Sequence, residues 1–526
     1  MKIGAIAIGA ALTVSTLAVP SQAANANSIT VAEVTAGGPG VNQIPYPWVN
    51  SGSISHHVMF RALLKAYPNL TTVGPDLASK YSVSRDGKTI KLTLKSGVKW
   101  SDGQAVTPAD VVWSINTSRR VAQINAIYTN AFSQIVGSED VLATNTKSMS
   151  GISVSGNEIT INLKNPSNTF IPVLAQFMIL PEHSLKNADP LKIATDNYWK
   201  NPVVAGAFKV GTFSQGNFIT LVPNNYYEGQ KPNITEINIV TSADLVSDAK
   251  AGKIDYFTTN DANTIKAMSK VTSFTGTPID NMIFYRYFVF NLSDKDGLFA
   301  NVKAREALKY GVQWSKLIPA MYPNQGKMIN SGVPAGSAAH LNSIAPYKYD
   351  PAKAKALLKE ANFDFSKTVR LRHYQALTDV ASIAFMTAVA QQLTALGMKV
   401  EMLKFQADAT TELYKNRNYE MSLKGLSAFN FGEWYAEYTN PATFASIIGP
   451  QPEFAALNTQ LGQATTIAQT NKALVALQKL EQEKLLKLPL FSVKQVAFVS
   501  KKISGAKKFG NPLYVYDNNF ANWTVN

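Results

Sequence analysis

The chain contains no cysteine. Disulfides, thiolate metal sites, iron–sulfur clusters and cysteine nucleophiles are therefore all excluded. Histidine is scarce too. Five residues (His56, His57, His183, His340 and His373) among 526 leave little for an imidazole-rich metal centre. Charged residues make up 16% against 46% hydrophobic, a balance too apolar for a disordered chain. Acids are the minority sign, so 50 basic residues against 35 acidic ones give a net charge of +15. The basic residues are scattered, with no run of five or six and no basic stripe interleaved with aromatics. A solvated basic surface follows, with no nucleic-acid partner.

The N-terminus has the form of an export signal. Met1-Lys2 gives a positive start, Ile3 to Val19 is apolar, and small residues follow Pro20. Residues 1–26 read as a signal peptide cut after Ala23 or Ala26. No cysteine follows the apolar stretch, so no lipobox can form. No later segment has 18 uninterrupted apolar residues. The expectation is a periplasmic or extracellular protein, soluble and not lipid-anchored.

Strand and helix patterns alternate through the rest. Ile29 to Val34 reads as a strand, and a helix follows from about Ser55. Ile90, Leu92 and Leu94 alternate with Lys91, Thr93 and Lys95, the period of a half-buried strand. Thr107-Pro108-Ala109-Asp110 opens a helix: threonine caps, proline suits the first position, and aspartate sits where a reciprocal cap belongs. Ile159, Ile161 and Leu163 mark another strand. Asp350-Pro351 starts a further helix. Val369 to Arg372, a helix near Ser382 to Leu396, Gly397, and a strand resuming at Val400 form a βαβ unit. The pattern predicts an α/β fold.

Several stretches, in order, resemble the extracytoplasmic solute-binding proteins of ABC importers, family 5, the oligopeptide, dipeptide and nickel class. The most specific runs from Leu94 through Trp100-Ser101-Asp102-Gly103 to Val111, a strand, a turn and a capped helix. Asn201 to Val210, Asn224-Asn225-Tyr226-Tyr227-Glu228-Gly229, Ala251-Gly252-Lys253-Ile254-Asp255, Phe290-Asn291, and the helices near Val302 to Val312 and Tyr349 to Phe363 match further family segments. The resemblance implies a two-lobed periplasmic-binding-protein fold (type II, large class C) with an extra subdomain in the first lobe. Lobe I would comprise 27–56, 190–286 and 499–526, with 57–189 as the inserted subdomain and 287–498 as lobe II. It also implies no enzyme activity, no cofactor, a monomer, ABC permease subunits as partners, and hinge closure over a small ligand.

Peptide-binding relatives carry a Trp-x-x-Asp-Tyr-x-x-Pro-x-x-Phe loop whose aspartate holds the peptide ammonium. Trp434, Tyr438, Pro441 and Phe444 match it, with Glu437 in the aspartate's place, so Glu437 is expected to hold a ligand amine without a core role. Trp434, Tyr435, Phe429, Asn430 and Asn440 are expected beside it. Ser51 and Gly52 would offer backbone contacts, and Arg372 a guanidinium for a ligand carboxylate. A peptide is thus the first ligand reading. An oligosaccharide stacked on Phe429, Phe431, Trp434 and Tyr435 is the second, and an opine-type ligand is compatible. No metal site is expected. His56 and His57, adjacent on a helix, point about 100° apart, and Asp294-Lys295-Asp296-Gly297 fails as a calcium loop because Leu292 and Lys303 occupy ligand positions. No P-loop, H-E-x-x-H or G-x-S-x-G is present. A secreted hydrolase using Glu433 and Glu437 is the alternative from another class, weakened because both acids lie on one segment.

Overall fold

Alternating apolar residues sort the strands into two large sheets, each covered on both faces. The computed structural model describes residues 27–33, 44, 46–49, 54–66, 73–167, 170–279, 284–323, 325–335, 337, 339–373, 380–406, 410–427, 431–441, 443–464, 466–506 and 522–526. The signal segment 1–26 lies outside them. In the first sheet, Ser28–Ala32 lies parallel to Glu236–Val240, in register from Ser28 opposite Glu236 to Ala32 opposite Val240. Phe218–Pro223 and Phe208–Ser214 extend the sheet on that side. Tyr256–Thr259, Val496–Ser500 and Phe274–Pro278 complete the other.

The second sheet runs Gly326–Met328, Lys487–Val493, Phe284–Phe290, Met421–Ser427, Thr368–His373, Lys399–Lys404. Its βαβ unit is the one the sequence predicts. Thr368–His373 and Lys399–Lys404 are parallel, Thr368 opposite Lys399 and His373 opposite Lys404, and the helix Val380–Ala395 connects them. Phe288, Leu371, Leu423 and Phe385 fill the core on one face, and Tyr285, Tyr287, Trp434 and Leu477 fill it on the other.

A four-stranded antiparallel sheet, ordered Ala78–Val83, Thr89–Leu94, Glu158–Asn162, Ile152–Ser155, forms the inserted unit. Its core is continuous with that of the first lobe: Ile90, Leu92, Trp100 and Ile159 belong to one cluster with Ile29, Phe208 and Ile237. The Trp100 turn is the fastening. Ser101 N–H donates to the Val204 carbonyl at 2.7 Å, and Asp110 accepts the Thr107 N–H at 2.8 Å, as the helix-start pattern requires. Gly103 adopts φ +90° under the Tyr226 ring, a conformation that favours glycine.

The chain passes between the sheets twice. It leaves the first after Pro278 and enters the second at Phe284, then returns between Val493 and Val496. The Ile279 N–H donates to the Gln495 carbonyl at 2.8 Å, binding the two crossings together. Gln325 Nε2 donates across the junction to the Asn260 carbonyl at 2.7 Å. Strand pairing assigns residues 284–286 to the second sheet and Val496–Phe498 to the first. The junctions therefore fall a few residues before the boundaries at Tyr287 and Phe498 drawn from sequence, because ladder hydrogen bonds rather than motif edges define them.

Candidate functional site

The parallel strands of the second sheet all end at one edge. Leu371 opposite Met421 and Arg372 opposite Ser422 align Thr368–His373 with Met421–Ser427. The antiparallel strand Phe284–Phe290 begins at that edge, Phe284 opposite Ser427. Open α/β sheets bind ligands outside the carboxyl ends of their strands. Here that edge is also where the chain arrives from the first lobe, so a ligand there meets both lobes.

The aromatic segment following Met421–Ser427 forms a short helix, Phe431–Ala436, and a 3-10 turn, Glu437–Thr439. The Trp434 and Tyr435 side chains are both 0% exposed. Trp434 contacts the Tyr285 and Tyr287 rings, each 4.7 Å away, and a Cβ at Gly332 would fall 2.0 Å from its Cδ1. Tyr438 stacks on Phe454 at 4.1 Å. These rings converge on the buried Glu481. Its Oε1 accepts from Trp434 Nε1 and from Tyr438 Oη at 3.1 Å. Its Oε2 accepts from Tyr435 Oη at 3.1 Å and from Gly332 N–H at 3.0 Å. Burial pushes the Glu481 carboxyl up, while the Gly332 and Trp434 donors and the Lys487 charge oppose that rise. The expectation that Trp434 and Tyr435 contact ligand is thus corrected. Their surface is spent on the lobe core, which leaves neither ring a face for a peptide or a sugar.

Glu437 is also reassigned. Its side chain is 11% exposed, and Lys424 Nζ meets Oε1 at 2.6 Å. Lys487 Nζ meets Oε2 at 3.0 Å, and Tyr287 Oη donates to Oε2 at 2.6 Å. Burial alone would raise its pKa, but the two ammonium charges and the bonds from Lys424 and Tyr287 override that and hold it at about 2. Lys487 is wholly buried, 3.7 Å from the Trp434 ring centroid. Burial lowers its pKa to about 8 against the pull of Glu437 and Glu481. The carboxylate expected to hold a ligand ammonium already holds two from the protein, and it has a core role the sequence reading denied it. It cannot serve with Glu433 as a hydrolytic pair either.

The Arg372 guanidinium lies 3.7 Å from the half-exposed Glu401 and donates to the Asn418 carbonyl at 3.3 Å. Asn440 closes the 3-10 turn, its N–H on the Glu437 carbonyl at 3.3 Å. Phe431 is half-buried, and His56 is fully buried. Ser51, Gly52, Phe429 and Asn430 lie outside the described residues. Sequence reasoning missed Tyr287, Lys424, Glu481 and Lys487. A signal was available for the lysines: Lys424 follows Leu423 within a strand and Lys487 opens the largely apolar strand Lys487–Val493, and a buried ammonium demands a partner.

Residues 72–449 match the family described as bacterial extracellular solute-binding proteins, family 5 Middle. The chain is 25% identical over 372 residues to a protein of Brucella ovis named for ABC transporter peptide binding, covering 69% of this chain and 66% of that one, just under two thirds. It is 26% identical over 405 residues to the glutathione-binding protein GsiB of Salmonella typhimurium, covering 75% and 72%. Among solved structures, the oligopeptide-binding protein AppA of Bacillus subtilis in complex with a nonapeptide shares the fold at TM-score 0.71. Its identity is 20%, with 95% of this chain and 99% of that chain covered.

Proposed function

We propose, for a chain that belongs to the bacterial extracellular solute-binding proteins of family 5, that its lobes close over a short peptide and hand it to an ABC permease. The family is one of binding proteins, not enzymes. The observation that carries the reading is the pair of adjacent crossings, joined by the Ile279–Gln495 hydrogen bond, beside the carboxyl edge of the second sheet. Two narrow links let rigid lobes rotate about one line, and a solute caught there loses its water to fixed polar groups. The peptide class is supported by relatives named for peptide and glutathione binding. We place the protein outside the cytoplasmic membrane as a monomer, with residues 1–26 removed and no cysteine to carry a lipid.

Mass spectrometry of small molecules released by denaturing freshly purified protein tests the ligand class. Peptides of a few residues are the expected finding. Sugars or a nickel chelate in their place would overturn the peptide assignment while leaving capture intact. Steady conversion of a peptide to products would overturn the binding-only reading.

A further inference from the structure

Arg286 stands two residues beyond the crossing into the second sheet, on Phe284–Phe290. Tyr285, Tyr287 and Val289 turn into one core and Phe288 and Phe290 into the other, so strand alternation places Arg286 on the Phe288 face. Its neighbours in register are Gly425 and Phe491. The guanidinium carbon lies 4.5 Å from the Phe284 ring centroid, a stacking contact that fixes the plane of the group. Nε is shielded from water and has no hydrogen-bond partner among the described residues.

Among the described residues, Arg119 Nε in the inserted unit is likewise buried without a partner, though its Nη1 donates to the Thr129 carbonyl at 3.4 Å. The other partly or wholly buried arginines are spent within the protein, Arg120 on the Asn145 carbonyl at 3.0 Å. Arg61 binds Asp76 and Glu228, Arg370 binds Glu420, and Arg372 lies beside Glu401. Arg305 and Arg417 are met by backbone carbonyls. An unsatisfied buried donor is costly and calls for a cause. The ladder supplies a second observation. Pairing with Lys487–Val493 slips between Arg286 and Tyr287, which face Phe491 and Pro489. The extra residue, Leu490, lies on Lys487–Val493 beside Pro489, so the bulge interrupts the ladder next to Arg286, and such bulges recur beside binding sites.

We propose that Arg286 anchors a carboxylate of the captured solute, received side-on through Nε–H and one Nη–H at the inter-lobe edge of the second sheet. This rests on the reading that the lobes capture a peptide. A stacked guanidinium presents two parallel donors that match the two carboxylate oxygens, and closure of the first lobe removes the competing water. The peptide is therefore recognised in this lobe through its acid end or an acidic side chain. Glu437, turned inward to Lys424 and Lys487, leaves the amine to be met elsewhere.

The test uses the full chain and a defined mixture of di- to pentapeptides without acidic side chains, offered as free acids and as C-terminal amides. Peptide retained after washing is quantified by mass spectrometry for wild type, Arg286→Met and Arg286→Lys, with thermal unfolding recorded for each. Wild type is expected to retain free acids over amides by about thirtyfold or more. Arg286→Met should lose that preference. Arg286→Lys, which keeps the charge and stem but not the paired donors, should keep part of it, and this variant carries the test if the methionine form does not fold. Equal retention of acids and amides by wild type, or a preference that survives in both variants, would overturn the role of Arg286 while leaving peptide capture standing. Failure of wild type to retain either form would overturn the peptide reading and the carboxylate anchor with it.

Discussion

At the scale of single residues, the buried charges around Glu437 govern behaviour. Glu437→Gln removes the carboxylate that bridges Lys424 and Lys487. Breaking a buried pair by deleting one partner costs about 3–5 kcal/mol, and denaturant unfolding at pH 7 should show a loss of that order. The pH dependence has a definite sign. A carboxyl held at about 2 in the fold and near its ordinary value when unfolded contributes stability above about pH 4.5. That contribution is lost as the pH falls toward 2, so the gap between wild type and variant should close over that window. A gap that stays constant would show that the lysines do not depend on this carboxylate. The sequence made the position of Glu437 legible, because the Trp434, Tyr438, Pro441 and Phe444 spacing frames it. It could not show which way the side chain turns. Lys424 is 13 positions away and Lys487 is 50, and only the sheet brings them together.

At the scale of elements, local patterns were readable and long-range ones were not. The helix at Pro108, the helix at Pro351 and the βαβ unit from Thr368 are governed by caps, turns and periodicity within a few residues. The packing of Phe431–Ala436 is decided instead by distant partners. Gly332 yields its side-chain volume to the Trp434 indole, and Glu481 fixes that ring from a third segment. Gly332→Ala would place a Cβ 2.0 Å from Trp434 Cδ1, where the ring cannot retreat without breaking its bond to Glu481. Overpacking of this kind costs about 1–3 kcal/mol. Chemical denaturation should register that loss, with a changed tryptophan emission in the native state. An unchanged midpoint would mean that the loop carrying Gly332 yields freely.

At the scale of the whole molecule, the cores define the cooperative units. Motif order made the two lobes legible, and residues 57–189, read as a subdomain inserted in the first lobe, share one apolar cluster with the first sheet. Calorimetry of solute-free protein should therefore show at most two transitions, one per lobe, and not a third for the insert. Solute at a hundredfold its dissociation constant should add about 2.7 kcal/mol to the stability of whichever unit opens the cleft. A separate early transition assigned to residues 57–189 by proteolysis would contradict the shared core. The position of Val496–Ser500, inside the first sheet between Tyr256–Thr259 and Phe274–Pro278, bears on the order in which the molecule can be made. A ribosome working from the N-terminus must complete the second lobe before it supplies this interior strand. The first lobe consequently stays unsealed until residue 500 has emerged. Through nearly the whole of synthesis the nascent chain keeps one half unable to lock, the condition in which an unfolded polypeptide can still be threaded through a narrow export channel.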